Sequence, residues 1–339
     1  MSTVKATNFQ NASSATANMV TDASGNVSFG GTAAMSSSFL RNRIINGDMR
    51  VDQRNAGAAQ TITSGSTPYT VDRWIAYGNG ASITSQQVAG TGPFPKALQF
   101  TGASSVSQAL IRQRIESLNT SDLSGATITI QAYVWGSAAG TVNMTLYYPT
   151  VIDNHTSQTT IVDTAFSITT TPTLFTFVVT SLPSGVLNGL EVRFTYGAIG
   201  AGVTRTITGV QLEVGTVATP FERQLYNAQL AQCQRYFAKV TAGANYSGFG
   251  NGLFSTTTTG GFLSKLSVTM RSSPTVSQSS LAAYDGTNII ALTGLITTNG
   301  GTDYINQDFT VASGGTANRA VNILSNNTTS GFLSFSAEL

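Results

Sequence analysis

The chain has 339 residues, and only 9% of them are charged, against about 25% in an average soluble domain. The formal net charge of +2 is too small to indicate nucleic acid or an anionic membrane as a partner. One cysteine, Cys233, excludes an internal disulfide, and one histidine, His155, excludes a metal site built from several histidines. With 34 glycines and a surface of Thr, Ser, Asn and Gln, the composition favours many short strands.

Residues 1–38 form a small, polar opening segment with isolated apolar positions such as Phe9 and Val27. A segment this thin cannot bury a core alone, so it is either disordered or ordered by pairing with other copies or with a socket. Met1 to Lys5 lack the pattern of a secretory signal, and no run approaches the ~18 apolar residues of a membrane helix. We therefore expect synthesis in the cytoplasm and no membrane insertion.

Strand signals are clean from about residue 126 to residue 214. Apolar and polar residues alternate in three stretches, a period that is typical of half-buried antiparallel strands. Near Val210 the alternation slips by one residue, which predicts a β-bulge at Thr208–Gly209. The apolar members of the three stretches are Ile128, Ile130, Val134, Val142, Met144, Leu146, Leu190, Val192, Phe194 and Tyr196.

One helix is predicted over residues 219–238. Thr219 suits the N-cap, Pro220 the first helical position, and Glu222 completes a capping box. The helix either packs on its own domain or forms a small coiled coil between subunits. Its apolar stripe, spaced by four, three and four residues, consists of Tyr226, Leu230, Cys233 and Phe237.

Strand signals return in residues 239–339. The run Tyr284–Asp285–Gly286–Thr287 has the composition of a two-residue hairpin turn, and Asn299–Gly300–Gly301 marks another turn. Several short strands within about a hundred residues predict a second β-sandwich.

The chain is poor in catalytic patterns. His155 follows Asp153 in a stretch that is typical of an exposed turn, and no Gly-x-Ser-x-Gly elbow is present in the sequence. Cys233 lies in the helical stripe and is interpreted as an apolar filler. A glycosidase pair of carboxylates, Asp303 with Asp308 or Asp153 with Asp163, stays open as an alternative. We expect no catalytic residue, no metal and no cofactor.

A basic cluster at the start of the first strand-rich region combines Arg41, Arg43, Arg50 and Arg54 with interleaved Asp48 and Asp52. The interleaving favours local ion pairs over phosphate binding, and nucleic acid is not expected as a partner.

Recognition of a ligand by surface loops is the remaining function. In such loops aromatic rings stack on sugars, and polar side chains hydrogen-bond to sugar hydroxyl groups. The alternative for each aromatic residue is packing at a strand end. The candidate ligand-binding residues are Tyr246, Phe249, Tyr284 and Tyr304.

Several strings resemble those of bacteriophage tail-fibre and related virion structural proteins, especially from marine and cyanobacterial phages. The start of a jelly-roll module in such proteins, itself similar to carbohydrate-binding domains, is resembled by INGDMRV (45–51) and VDRW (71–74). The end of that module is resembled by GVQLEVG (209–215) and TPFER (219–223). Further strings follow in the family's order, with NFQNASSA (8–15) and SGNV (24–27) before the module and CQRYF (233–237) and VTMRSSPTV (268–276) after it.

The resemblance implies an all-β fibre of four parts: a virion-docking arm (1–38), a jelly-roll domain (39–218), a connecting helix (219–238) and a distal C-terminal β-sandwich (239–339). It further implies a homotrimer, located in the virion as a tail appendage, that attaches to other tail or virion proteins through 1–38 and binds a host cell-surface glycan without enzymatic activity. Related modules begin NGDFE and hold a structural calcium with the acidic residue, whereas Arg50 occupies that position here. The alternatives are a virion decoration or baseplate-linked protein without a receptor role, and a polysaccharide depolymerase.

Overall fold

The computed structural model describes residues 8–10, 19–21, 27–29 and 41–339, and the chain divides into two compact units, Met1–Arg41 and Asn42–Leu339. In the first unit, β1 (Asn8–Phe9), β2 (Met19–Thr21) and β3 (Val27–Phe29) pair antiparallel in that order. The rest of the predicted arm over 1–38 lies outside the described residues, and its docking role stays a prediction.

The second unit begins with a β-sandwich of two antiparallel sheets, which confirms the predicted sandwich. Its strands are β4 (Gln60–Ile62), β5 (Ile75–Asn79), β6 (Ile83–Ala89), β7 (Lys96–Thr101), β8 (Gln108–Ile115), β9 (Ile128–Gly136), β10 (Gly140–Val151), β11 (Asn154–Ile168), β12 (Thr173–Val179), β13 (Leu190–Gly197) and β14 (Thr204–Val214). One sheet has the order β11–β10–β13–β8–β5, and the other has the order β12–β9–β14–β7–β6–β4. Short 3-10 helices lie at Ser117–Asn119 and Ser184–Asn188.

The apolar residues that alternate along the sequence form the sandwich core. Val142, Met144 and Leu146 of β10 and Val192 of β13 are fully buried between the sheets. Trp74 is also fully buried, and its indole Nε1 donates to the carbonyl of Asn46 at 3.0 Å. Each buried side chain of this size stabilises the fold by about 1.5–3 kcal/mol.

The predicted β-bulge in β14 is confirmed. The register of β14 with β9 shifts between Thr208 and Gln211, and Gly209 within the shift has a φ of 62°. Glycine adopts this left-handed conformation without the steric cost of a side chain. The extra residue keeps Ile207 and Val210 both buried although they are out of phase.

The helix is shorter than predicted and begins later: α1 spans Tyr226–Gln234. The predicted capping box at 219–222 is wrong, because side chains at the end of β14 bind the amide and hydroxyl groups that the box would use. Glu213 accepts bonds from both the amide and the hydroxyl of Thr219 at 2.8 and 2.5 Å, and Gln211 accepts the amide of Glu222 at 2.7 Å. Within the described ranges, no helix is long and apolar enough to cross a membrane.

The helix packs on its own chain. Gln229 and Cys233 are buried, and Gln229 Nε2 donates to Asp48 Oδ1 at 3.0 Å in the sandwich. These contacts favour the packed helix over the coiled coil between subunits. Phe237, the last residue of the predicted stripe, belongs to the following strand.

The C-terminal strands form a small sheet and a closed barrel. Their ranges are β15 (Phe237–Thr241), β16 (Gly248–Phe254), β17 (Thr259–Lys265), β18 (Thr275–Ser279), β19 (Leu281–Tyr284), β20 (Ile289–Gly300), β21 (Tyr304–Val311), β22 (Ala320–Ser325) and β23 (Phe332–Ser336). The three-stranded sheet has the order β15–β23–β18, and the barrel closes as β16–β17–β21–β20–β19–β22. The predicted hairpin at Asp285–Gly286 connects β19 to β20.

This region is all-β as predicted, but it is a barrel rather than an open two-sheet sandwich. Two register shifts in β20, next to Gly294 and Asn299, allow that long strand to curve around the barrel. The pairing of β16 with β22 then closes the ring. Phe254 and Phe309 meet inside at 5.2 Å between ring centroids.

Candidate functional site

The four aromatic residues predicted as ligand contacts lie at two ends of the barrel. Antiparallel pairing places the starts of β16 and β21 at the end where β17 finishes, and the last residue of β19 at the other end. Tyr246, Phe249 and Tyr304 therefore share one end, while Tyr284 lies at the opposite end. They do not form one site, and their role as ligand contacts stays a prediction.

A cleft of about 440 Å³ lies between the sandwich and the three-stranded sheet. We call it the sandwich–sheet cleft. Arg54, Gln60 and Tyr69 line it from the sandwich, and Lys239 and Phe332 line it from the sheet. The residues come from stretches almost 300 positions apart in the chain, which is why local sequence patterns did not reveal them.

Strand register decides which side chains form the cleft floor. Side chains along the central strand β23 point alternately to its two faces. Leu333 and Phe335 enter the barrel core, and Phe332, Ser334 and Ser336 face outward. The outward rows are therefore rich in small hydroxyl side chains next to two phenylalanines. They consist of Phe237–Ser336–Thr275, Lys239–Ser334–Ser277 and Thr241–Phe332–Ser279.

A tight turn holds the sandwich wall of the cleft. Asp52 accepts the amides of Asn55 and Gly57 at 3.0 and 2.8 Å, which fixes the turn that presents Arg54. Asn55 Nδ2 then donates to Gln60 Oε1 at 3.2 Å and orients that amide beside the cleft. The wall thus has polar side chains in fixed positions.

Two cations lie on aromatic rings in the cleft. The Arg54 guanidinium lies 3.5 Å from the ring centroid of Phe237 and 4.9 Å from that of Tyr69. The Lys239 ammonium lies 4.7 Å from the ring centroid of Phe332 and donates to the Arg54 carbonyl at 3.0 Å. Such contacts stabilise a cation by about 0.5–2 kcal/mol and hold both side chains against the floor.

Basic side chains outnumber acidic ones around the cleft. Glu338 accepts from Arg54 at 2.8 Å and also pairs with the buried Arg73. Burial raises the pKa of the nearby Asp72 to about 6, and burial, together with Glu338, raises the pKa of Tyr69 to about 12. The single carboxylate of Glu338 is therefore shared by Arg54 and Arg73.

The two carboxylate pairs considered for a glycosidase do not meet. Asp303 and Asp308 lie five residues apart along β21, which corresponds to roughly 17 Å and opposite strand faces. Asp153 and Asp163 lie ten residues apart along the turn and β11, which corresponds to roughly 33 Å. Both separations exceed the ~5–9.5 Å that glycosidases use.

His155 is buried at the start of β11, so the exposed turn predicted for it is wrong. It hydrogen-bonds to Gln158 at 3.1 Å, and burial lowers its pKa to about 4. The carboxylate of Asp153 instead accepts the amide and hydroxyl of Ser117, at 2.7 and 3.1 Å, and does not orient the imidazole. Cys233 is a buried filler as predicted, and burial raises the pKa of its thiol.

The basic cluster is paired rather than open to phosphate. Arg50 pairs locally with Asp48 at 2.5 Å, whereas Arg43 and Arg54 pair with distant carboxylates. Arg50 thus places a positive charge beside the carboxylate of Asp48. Among the residues that the structure describes, no group of three or more His, Cys, Asp or Glu could hold a metal ion.

No protein-family model and no curated protein matches the chain. Solved structures with distant similarity include a CBM4 module, at 21% identity over 42% of this chain and 95% of that chain, with a TM-score of 0.30. A family 11 carbohydrate-binding module from Clostridium thermocellum has 12% identity over 48% of this chain and 98% of that chain, with a TM-score of 0.31. The tailspike protein 4 domain of bacteriophage CBA120 has 12% identity over 52% of this chain and 22% of that chain, with a TM-score of 0.33. Likeness at this level is distant and carries no inference about a ligand.

Proposed function

We propose that the chain binds a host-surface glycan in the sandwich–sheet cleft, as a non-enzymatic fibre of a phage virion. The observation that carries the proposal is the cleft floor, where rows of hydroxyl side chains lie beside Phe332 and opposite Tyr69. Hydroxyls and amides exchange hydrogen bonds with sugar hydroxyls, and an aromatic ring packs on the C–H face of a sugar.

The virion part of the proposal rests on the sequence strings that resemble tail-fibre proteins. Attachment through residues 1–38, a homotrimeric state and a tail location belong to the same proposal. The distal position of the C-terminal domain, residues 239–339, is also part of this proposal.

Glycan binding is tested with the purified full chain on a glycan array and on host cells. We expect Phe332→Ala to weaken binding by about tenfold, the loss of a contact of about 1–3 kcal/mol by analogy with base stacking. Phe332 lies outside the buried core, so the variant should fold. Tyr226→Ala, which removes an exposed aromatic side chain on α1, is the matched control and should bind normally.

Each result that contradicts the proposal supports a different alternative. Normal binding by Phe332→Ala with loss in Tyr246→Ala or Tyr304→Ala would place the site at the barrel end. Absence of any glycan or cell binding by the intact chain would favour a structural virion protein without a receptor role. Release of reducing ends from host polysaccharide would favour a depolymerase.

A further inference from the structure

A second cluster of polar side chains lies on the outer face of the five-stranded sheet, away from the sandwich core. Cross-strand pairing places Arg112 of β8 opposite Arg193 of β13, and Arg114 opposite Glu191. Tyr147 of β10 lies beside Glu191 on the next strand. We call Arg112, Arg114, Arg193 and Glu191 the arginine face.

Three guanidiniums surround one carboxylate on the arginine face. Arg193, Arg114 and Arg112 lie 2.5, 3.2 and 3.8 Å from Glu191, whose side chain is fully buried. Although burial opposes it, the three guanidiniums lower the pKa of Glu191, so the carboxylate is ionised at neutral pH. The imidazole of His155 is neutral there, and the cluster carries two more positive charges than negative ones.

Arg112 differs from its two neighbours in its bonding. Arg114 also donates to the main-chain oxygen of Leu339 at 2.7 Å, and Arg193 donates to Gln158 at 3.2 Å. Arg112 lies beyond hydrogen-bond distance from Glu191, and among the described residues its buried Nε has no acceptor. Burial, and the repulsion from Arg114 and Arg193, lower the pKa of Arg112.

A guanidinium that is 84% buried, repelled by two others and short of acceptors is under-satisfied in the folded chain. An oxygen anion is the acceptor that would lower its free energy most, since guanidinium donors match planar or tetrahedral oxyanions best. A further carboxylate on the face, Asp163, accepts from the hydroxyl of Thr145 at 3.2 Å and lies on the edge strand β11. The 16% of the Arg112 side chain that is accessible is the part that an external anion can reach.

We propose that the arginine face binds an oxyanion group of the glycan, either a uronate carboxylate or a sulfate half-ester, through Arg112. This inference rests on the proposed glycan binding for the identity of the polymer. It adds a substrate class: an acidic polysaccharide is bound more tightly than a neutral one of the same length.

The anion is tested on the intact chain with methyl sulfate, glucuronate and glucose at constant ionic strength in chloride. The readout is the Nε–H resonance of Arg112 in nitrogen–proton NMR spectra, assigned through Arg112→Gln. A saturable shift with methyl sulfate, with glucuronate or with both supports the proposal and identifies the group. No shift with either anion, or an equal shift with glucose, overturns it.

Polymer binding separates this site from the cleft. Arg112→Gln should weaken binding of the acidic polysaccharide by about tenfold, the loss of one charge-assisted bond, and leave neutral polymers unaffected. Arg319→Gln, which removes another arginine with a 3.8 Å carboxylate contact, is the matched control and should not change binding. Phe332→Ala should weaken binding of both the acidic and the neutral polymer. If Phe332→Ala alone has no effect, the proposed cleft is wrong. If Arg112→Gln alone has no effect, the proposed anion site is wrong.

Discussion

Two buried groups should make the stability of this chain depend on pH in opposite directions. Burial raises the pKa of Asp72 from 3.8 to about 6 and lowers the pKa of His155 from 6.5 to about 4. Folding therefore disfavours the charged form of each group. Converted at about 1.4 kcal/mol per tenfold change in proton affinity, each effect amounts to about 3 kcal/mol.

The signs follow from the direction of each pKa change. The stability that neutral Asp72 contributes is complete below pH 3.8 and is lost as the pH rises through about 6. The stability that neutral His155 contributes is complete above pH 6.5 and is lost as the pH falls through about 4. The two contributions nearly cancel in the wild-type chain over this range.

Single substitutions should expose each contribution. In Asp72→Asn the His155 contribution remains, so the free energy of unfolding should fall by about 3 kcal/mol, relative to wild type, as the pH is lowered from 6.5 to 4. In His155→Gln the Asp72 contribution remains, so the free energy of unfolding should rise, relative to wild type, as the pH is lowered from 6.5 to 4. Urea unfolding followed by the fluorescence of the buried Trp74 measures both.

Thr156→Ser provides the control, because Thr156 is exposed on β11 and the substitution removes no titratable group, so it should leave the pH profile unchanged. The reasoning is refuted if Asp72→Asn and His155→Gln both keep the wild-type pH profile. A change of the same sign in the two variants would also refute it.

Three further outcomes are expected. Gly47→Ala should destabilise the chain by more than about 1–3 kcal/mol in urea unfolding, because the added Cβ would lie 2.0 Å from the Val210 carbonyl oxygen. Trp74→Ala should cost about 3–5 kcal/mol in urea unfolding followed by circular dichroism, since the variant lacks the Trp74 fluorophore. A chelator should leave the melting temperature unchanged in calorimetry, since Arg50 supplies the charge beside Asp48, and a large drop would contradict this.

The sandwich was predictable because its signal is local. Alternating residues such as Val142 and Met144 need only their own strand to show which face is buried. The start of the helix was not predictable in the same way. Thr219 has good capping chemistry, but Glu213 on the preceding strand binds its hydroxyl in the folded chain.

The barrel and the cleft depend on contacts between distant parts of the chain. Closure requires β16 to pair with β22, about seventy positions later, and no local window contains that pairing. The alternation of Phe332, Ser334 and Ser336 was the available signal for the cleft floor. This alternation indicates a cleft floor only once β15 and β18 are known to pair with β23 on either side.

The central position of β23 has a consequence for biosynthesis. Residues 332–338 complete the middle of the three-stranded sheet and supply Glu338 to Arg54 and Arg73. A nascent chain that has not yet emerged this far leaves β15 and β18 with unpaired edges and two arginines without their carboxylate. The sheet and the cleft beside it can therefore form only after residues 332–338 are synthesised, and a product terminated before them would be marked by exposed strand edges that chaperones and proteases recognise.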